Sequence, residues 1–207
     1  MANASNKEHQ QCANALEWLQ KQNESLDHNG KNTVTFELGV DRTPGQWPRA
    51  VILSCADSRI TPEYIFKAGI EDLFVIRVAG NIAETDAIAS IEYAVANLGC
   101  EVVIVLGHQN CGAVGAAKAW LEGAELGDNL AHLVSQIAPA IQGHLSEPGE
   151  ALVKLNADHA AKTLTTNSTI LRTAVQKGDL TIISAYVDFD YNVDWYNGCS
   201  CSSGVTA

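Results

Sequence analysis

The stretch AVILSCADSR, Ala50 to Arg59, joins a short unbroken apolar run to a thiol, a carboxylate and a guanidinium. An apolar run of that length, bounded by polar residues, marks a buried strand. A second run, Val102 to Leu106, behaves in the same way and enters GHQNCG, where His108 and Cys111 stand three residues apart. In sheets of parallel strands, functional groups collect at the carboxyl ends, where the strand order reverses. Two strand ends then deliver Cys55, His108 and Cys111 to one place. Strand patterns alternate with helical ones along the remaining chain, so the expected fold is α/β, a mainly parallel central sheet flanked by helices behind an N-terminal helical arm.

Two thiolates and one imidazole suit a borderline metal such as zinc, and three protein ligands leave a tetrahedral ion one open position. Asp57 and Arg59 lie two and four residues beyond Cys55, which places an acid/base group and its counterion beside the ligand. Charge pairs of this kind cluster at functional sites.

Working outward, the spacing of Ala13, Leu16 and Leu19 predicts an amphipathic helix over about 7–25, and residues 26–47 read as a long connection. Pro62 fits the first turn of a short helix running to about Lys67 and ending at Gly69. Leu73 to Ile76 is a second buried strand, closed by Arg77 and a turn of small residues. Ile88, Ile91, Val95 and Leu98 recur at helical spacing, with Gly99 as the stop. Cys111 to Gly123 predicts a helix whose first turn holds Cys111, where free amides favour a thiolate. Two further helical patterns cover about 129–145 and 149–176, separated by Pro148, and the last strand is Leu180 to Val187, expected at a sheet edge. The chain reads as a single domain over 1–207, with an N-terminal arm and connection to 45, a core over 46–188 and a C-terminal tail over 189–207.

With 46% hydrophobic residues in 207, the chain buries a sizeable core. Thirteen Lys and Arg against 24 Asp and Glu give a formal charge of −11, which argues against a nucleic-acid partner or an anionic membrane surface. No stretch is long and apolar enough for a membrane span, and the first residues lack the basic-then-apolar order of a secretory signal, so a cytoplasmic location is the expectation. The six cysteines are scattered as buried thiols and metal ligands rather than as a disulfide framework. Cys100 reads as a core thiol and Cys12 as incidental. Cys199 and Cys201 are too close in sequence for zinc-finger spacing, and His9, His132 and His144 receive no role.

CADSR, FVIRVAGN and GHQNCGAV, in this order, resemble a β-class carbonic anhydrase over about three quarters of the chain. The resemblance implies a zinc enzyme that hydrates carbon dioxide reversibly to bicarbonate and a proton, by hydroxide generated at the metal. It makes Cys55, His108 and Cys111 the zinc ligands and Asp57 with Arg59 the catalytic pair. It also implies substrate contacts from Gln46, Phe74 and Tyr93, the set of the plant-like branch without the bicarbonate inhibitory site; Ser54, where the other branch usually carries glycine, agrees. The family's pocket forms across a dimer, so a homodimer or higher even oligomer is expected, with Gln46 and Tyr93 serving the other chain's zinc. His28 or His159 is a candidate for passing the released proton onward. Competing readings are a carbon disulfide or carbonyl sulfide hydrolase on the same scaffold, a non-catalytic zinc-stabilised interaction domain with Asp57 as fourth ligand, and a thiol redox protein, which lacks a C-x-x-C motif.

Overall fold

The alternating faces of two buried strands decide the layering. In Ala50–Ser54 (β1) and Val102–His108 (β3) every residue is buried, so both faces of the sheet must be covered. Val51, Leu53, Val103 and Val105 point into one apolar cluster, and Ala50, Ile52, Val102, Ile104 and Leu106 into the other. The period-two side-chain alternation of a strand produces this division. Burying each of these valine, leucine and isoleucine side chains is worth about 1.5–3 kcal/mol.

The computed structural model describes residues 14–27 and 43–198. Five strands form one sheet in the order β2-β1-β3-β4-β5, where β2 is Leu73–Arg77, β4 is Thr181–Val187 and β5 is Val193–Gly198. The pairs β1–β2, β1–β3 and β3–β4 are parallel, and β4–β5 is antiparallel. From β1 the chain moves outward to β2, then crosses back to build β3 on the opposite side. The reversal of strand order therefore falls between β1 and β3, as the ligand-bearing strand ends require.

Thr85–Leu98 (α3) carries Ile88 and Ile91 into the first cluster and ends at Gly99. Residues 14–24 form a helix (α1) that places Leu19 in the second cluster with Ile65 and Phe66 of the short helix Pro62–Ile65 (α2) and its cap. Buried Asn23 ties α1 down, donating to Ile65 O and Tyr191 O and accepting from the Val193 amide. A third cluster lies beyond the carboxyl ends of the strands. There Gly112–Leu121 (α4), Asp128–Ile141 (α5) and Gly149–Asn167 (α6) supply Val114, Ile137 and Val153 around Cys55 and Cys111. The α6 helix approaches β3 closely at Gly107, where a Cβ would lie 2.8 Å from Val153 Cγ1. No helix among the described residues is long and apolar enough to cross a membrane.

The structure corrects several expectations. The helical pattern over 149–176 is two helices, α6 and Thr169–Lys177 (α7), because Ser168 leaves helical geometry and its hydroxyl accepts from the Leu171 amide as an N-cap. Side-chain oxygens that compete for backbone amides favour such a break. The strand ending at Val187 is not at the edge; β5, inside the expected tail, pairs with it and takes that position. α2 stops at Ile65, and it is Lys67 rather than Gly69 that adopts the left-handed conformation, with φ 43°. α5 ends at Ile141, short of Leu145 and two residues after Pro139. Residues 7–13, most of the 26–47 connection, Cys12, His9, His28, Cys199 and Cys201 lie outside the described residues.

Candidate metal centre

Ligand atoms of Cys55, His108 and Cys111 all lie within 4.8 Å of one another, and the three residues are buried. Each reaches this point for a local reason. Cys55 is the first residue after β1, and His108 is the last of β3, still in register with Val187. Cys111 is the N-cap of α4, where the amides of Val114 and Ala113 favour its ionised form.

The chemistry of the trio fits zinc. His108 is fully buried, and its Nδ1 lies 2.9 Å from the carbonyl oxygen of Gln109. A carbonyl only accepts, so Nδ1 carries the proton and donates it there. Nε2 is left as a lone-pair donor, and it has no hydrogen-bond partner. A buried imidazole nitrogen without a partner costs free energy unless something coordinates it, and a histidine oriented through its other nitrogen is how protein metal sites fix the tautomer. Without a cation the two thiols share protons unequally. A hydrogen bond from Cys111 pulls Cys55 far below the ordinary thiol range against the effect of burial, while that same bond and burial push Cys111 up. A divalent ion removes the conflict by stabilising both thiolates.

Asp57 stands at the rim. Arg59 grips its carboxylate with Nε to Oδ1 at 2.8 Å, Nη2 to Oδ2 at 2.6 Å and its own backbone amide to Oδ1 at 3.0 Å. The Arg59 side-chain bond, ahead of the opposing desolvation, holds Asp57 well below the usual carboxylate range. Its Oδ2 lies 4.0 Å from His108 Nε2. Asp57 is not among the clustered ligand atoms, so its carboxylate borders the centre without belonging to the trio.

Several positioning residues receive no role from the sequence alone. Arg77, read as a strand end within FVIRVAGN, donates from Nε to Cys55 O at 3.1 Å and from Nη2 to Asp57 O at 2.6 Å. Tyr191 Oη donates to Arg59 O, and the Arg59 guanidinium lies 4.4 Å from the Phe189 ring centroid. The Gly80 amide donates to Cys55 Sγ at 3.2 Å. Of the other expected residues, Gln46 is exposed, Phe74 packs half-buried against the first cluster from β2, and Tyr93 on α3 is 50% exposed. His159 lies on α6, its pKa lowered by burial, and is not among the clustered ligands. Cys100 is a core thiol as expected: burial, with Glu101 beside it, pushes its pKa up to about 11.

A buried Cys-His-Cys centre bordered by a carboxylate, at the point where a parallel sheet reverses its strand order, defines a class of zinc protein, and the comparisons narrow it. Residues 50–192 match the family described as carbonic anhydrase. The carbonic anhydrase of Pseudomonas aeruginosa is 33% identical over 176 residues, covering 75% of this chain and 76% of that protein. Carbonic anhydrase 2 of Mycobacterium tuberculosis is 45% identical over 98 residues, 47% of each chain. The chain thus matches about half the length of its mycobacterial relatives. Among solved structures, a β-carbonic anhydrase of Aspergillus fumigatus superposes with a TM-score of 0.67 at 26% identity, over 75% of this chain and 78% of that one. A tetrameric β-carbonic anhydrase of Sordaria macrospora shares the fold, with a TM-score of 0.68 at 24% identity over 76% and 85% of the two chains. The chain belongs to the β-carbonic anhydrase family.

Proposed function

We propose that this protein is a carbonic anhydrase, catalysing the reversible hydration of carbon dioxide to bicarbonate and a proton. The observation that carries the reading is the unpartnered Nε2 of His108 beside two thiols, with an ionised carboxylate facing the same point from outside the ligand set. Cys55, His108 and Cys111 would hold the zinc, and the bound ion supplies the Lewis acidity that makes water nucleophilic near neutral pH.

The remaining roles belong to the chain. Asp57 is too strongly acidic to store a proton at working pH, because Arg59 engages both of its oxygens. It acts as a hydrogen-bond acceptor that orients the attacking water so that a lone pair faces carbon. His108, locked by Gln109 O, keeps one tautomer throughout turnover. Two thiolate ligands neutralise the formal charge of a divalent ion, so activity rises towards alkaline pH. A closed structural site would need Asp57 as fourth ligand, and its three bonds from Arg59 oppose that move.

Carbon dioxide needs apolar walls and one donor, and we assign these to Phe74, Tyr93 and Gln46. The support is their placement: among the described residues β2 is the sheet edge, its residues half-exposed or exposed, and Tyr93, Trp47 and Ile70 are exposed. An edge that no described strand covers, flanked by apolar side chains, is a surface for association, so a second copy placed there completes a homodimeric pocket or a higher even oligomer. Ser54 before Cys55, together with the intact Asp57–Arg59 pair, supports the plant-like branch. Free thiols at Cys55, Cys100 and Cys111 accord with a reducing, cytoplasmic setting.

The test is stopped-flow hydration of carbon dioxide from about pH 6.5 to 9, with zinc content measured in parallel. Hydration that rises with pH and scales with about one zinc per chain is the expected result. Zinc-replete protein inactive at every pH overturns the reading, and turnover of carbonyl sulfide by that protein would assign the sulfur-substrate alternative.

A further inference from the structure

We propose that Asn156 is a positioning residue for the metal centre, acting on Cys55 through the turn Ala79–Asn81. The inference rests on the metal-centre reading and adds to it a residue of α6 that is remote in sequence from every ligand.

Asn156 is 1% exposed and interrupts an apolar stripe of Leu152, Val153, Ala157, Ala160 and Leu164. A buried amide at such a place is unfavourable unless it is paired, whereas an aliphatic side chain needs no partner of its own. Its Nδ2 donates to Gly80 O at 2.8 Å. On the other side of the same α-carbon, Gly80 N–H donates to Cys55 Sγ at 3.2 Å. The chain of contacts thus runs from the middle of α6 through one residue to a ligand atom.

The turn needs outside support. Gly80 has φ 71° and the following non-glycine residue, Asn81, has φ 45°. Left-handed residues in succession are strained and persist only where their surroundings dictate them. The Asn81 amide closes the turn on Val78 O at 2.9 Å, and Val78 N–H donates to Ser54 O at 3.1 Å. On the packed side, a Cβ at Gly80 would meet Ile137 Cδ1 at 2.7 Å and Ala113 Cβ at 3.1 Å. With its carbonyl anchored by Asn156 and the next amide bound to Val78, Gly80 has little freedom to turn its own N–H away from the sulfur. An amide aimed at a buried thiolate stabilises the ionised form and draws electron density from sulfur. Orienting partners of this kind typically change metal affinity 10–100-fold when removed.

The experiment compares wild-type, Asn156→Leu, Asn156→Ala and Leu164→Ala proteins by zinc affinity in chelator competition, by the sulfur-to-metal charge-transfer band with cobalt(II), and by Tm of the metal-free forms. Asn156→Leu, which leaves Gly80 O without its donor, is expected to lower the metal-free Tm by no more than Leu164→Ala does, to bind zinc about 10–100-fold more weakly, and to shift the cobalt band. Asn156→Ala gives the same loss if the leucine does not fit. Leu164→Ala, a cavity on the same helix away from the turn, lowers Tm and leaves zinc affinity and the band unchanged. Zinc affinity of Asn156→Leu or Asn156→Ala within about twofold of wild type, with an unshifted band, overturns the proposal. Failure of the wild type itself to bind about one zinc would overturn the metal-centre reading, and this inference with it.

Discussion

The two loops that carry the candidate metal ligands leave neighbouring parallel strands and meet at the same centre, yet opposite means hold them. On the β3 side the backbone does the work. His108 is in ladder register with Val187, Gln109 N–H donates to Val187 O, and Cys111 opens a helix, so both ligands ride on regular structure. On the β1 side, Cys55 to Arg59 lie in no regular element. Arg77, Gly80 and Tyr191 hold that loop by side-chain and backbone bonds from elsewhere in the chain. One arm is stiff through local geometry; the other is as stiff as its distant supports.

The largest expected effect comes from removing a ligand of the stiff arm. His108→Ala should bring zinc from about one per chain to below about 0.1, with loss of hydration, as read by metal analysis of purified protein. Next is Asp57→Ala on the supported arm, which takes away chemistry and spares the ligands. Zinc should stay near one per chain while kcat for hydration falls about 10²–10³-fold; zinc loss in this variant would falsify the assignment. Arg77→Ala tests the supports themselves, with zinc binding weakened about 10–100-fold in chelator competition. Its counterpart on the β3 arm, Gln109→Ala, breaks only the side-chain bond to the Phe189 amide and should leave affinity within about twofold. If both variants behave alike, the contrast between the arms fails.

The smallest effect is one of pH. Arg59 lowers the Asp57 pKa in the folded state, so this pair's contribution to stability is fully present above about pH 4, the ordinary carboxylate value, and is lost as pH falls through the lowered one. Metal-free wild type should exceed Asp57→Asn in Tm by roughly 2–4 °C at pH 7 and by less near pH 2. A difference that grows towards acid would contradict the direction.

The same contrast explains what the sequence made legible. β1, β2, β3, α3 with its Gly99 stop and the Cys-His-Cys trio are written in local runs and spacings, and the structure places them as read. Ser168 was not legible as a break, because Leu164 and Leu171 continue the helical spacing across it and only the hydroxyl cap separates α6 from α7. β5 escaped because VDWYNG is short and mixed. Its Trp195 is explained by a tilted contact with Phe66, 6.0 Å between ring centroids, over a hundred residues away. Arg77 and Asn156 act on backbone atoms 20 to 76 positions distant; FVIRVAGN marks Arg77's stretch but not its targets, and nothing around Asn156 marks Gly80.

The first part of α6 has a consequence for how this chain can vary. Val153 covers Gly107, Lys154 bridges Glu150 and Asp194 while its carbonyl accepts from Tyr196 Oη, and Asn156 reaches Gly80. Adding or deleting one residue among these positions rotates everything behind it by about 100°. Valine, lysine and asparagine would then each address the wrong neighbour at once. Residues 149–156 behave as a key cut to one rotational phase, and changes in length are expected to accumulate at the Ser168 junction, where a fresh helix resets the count.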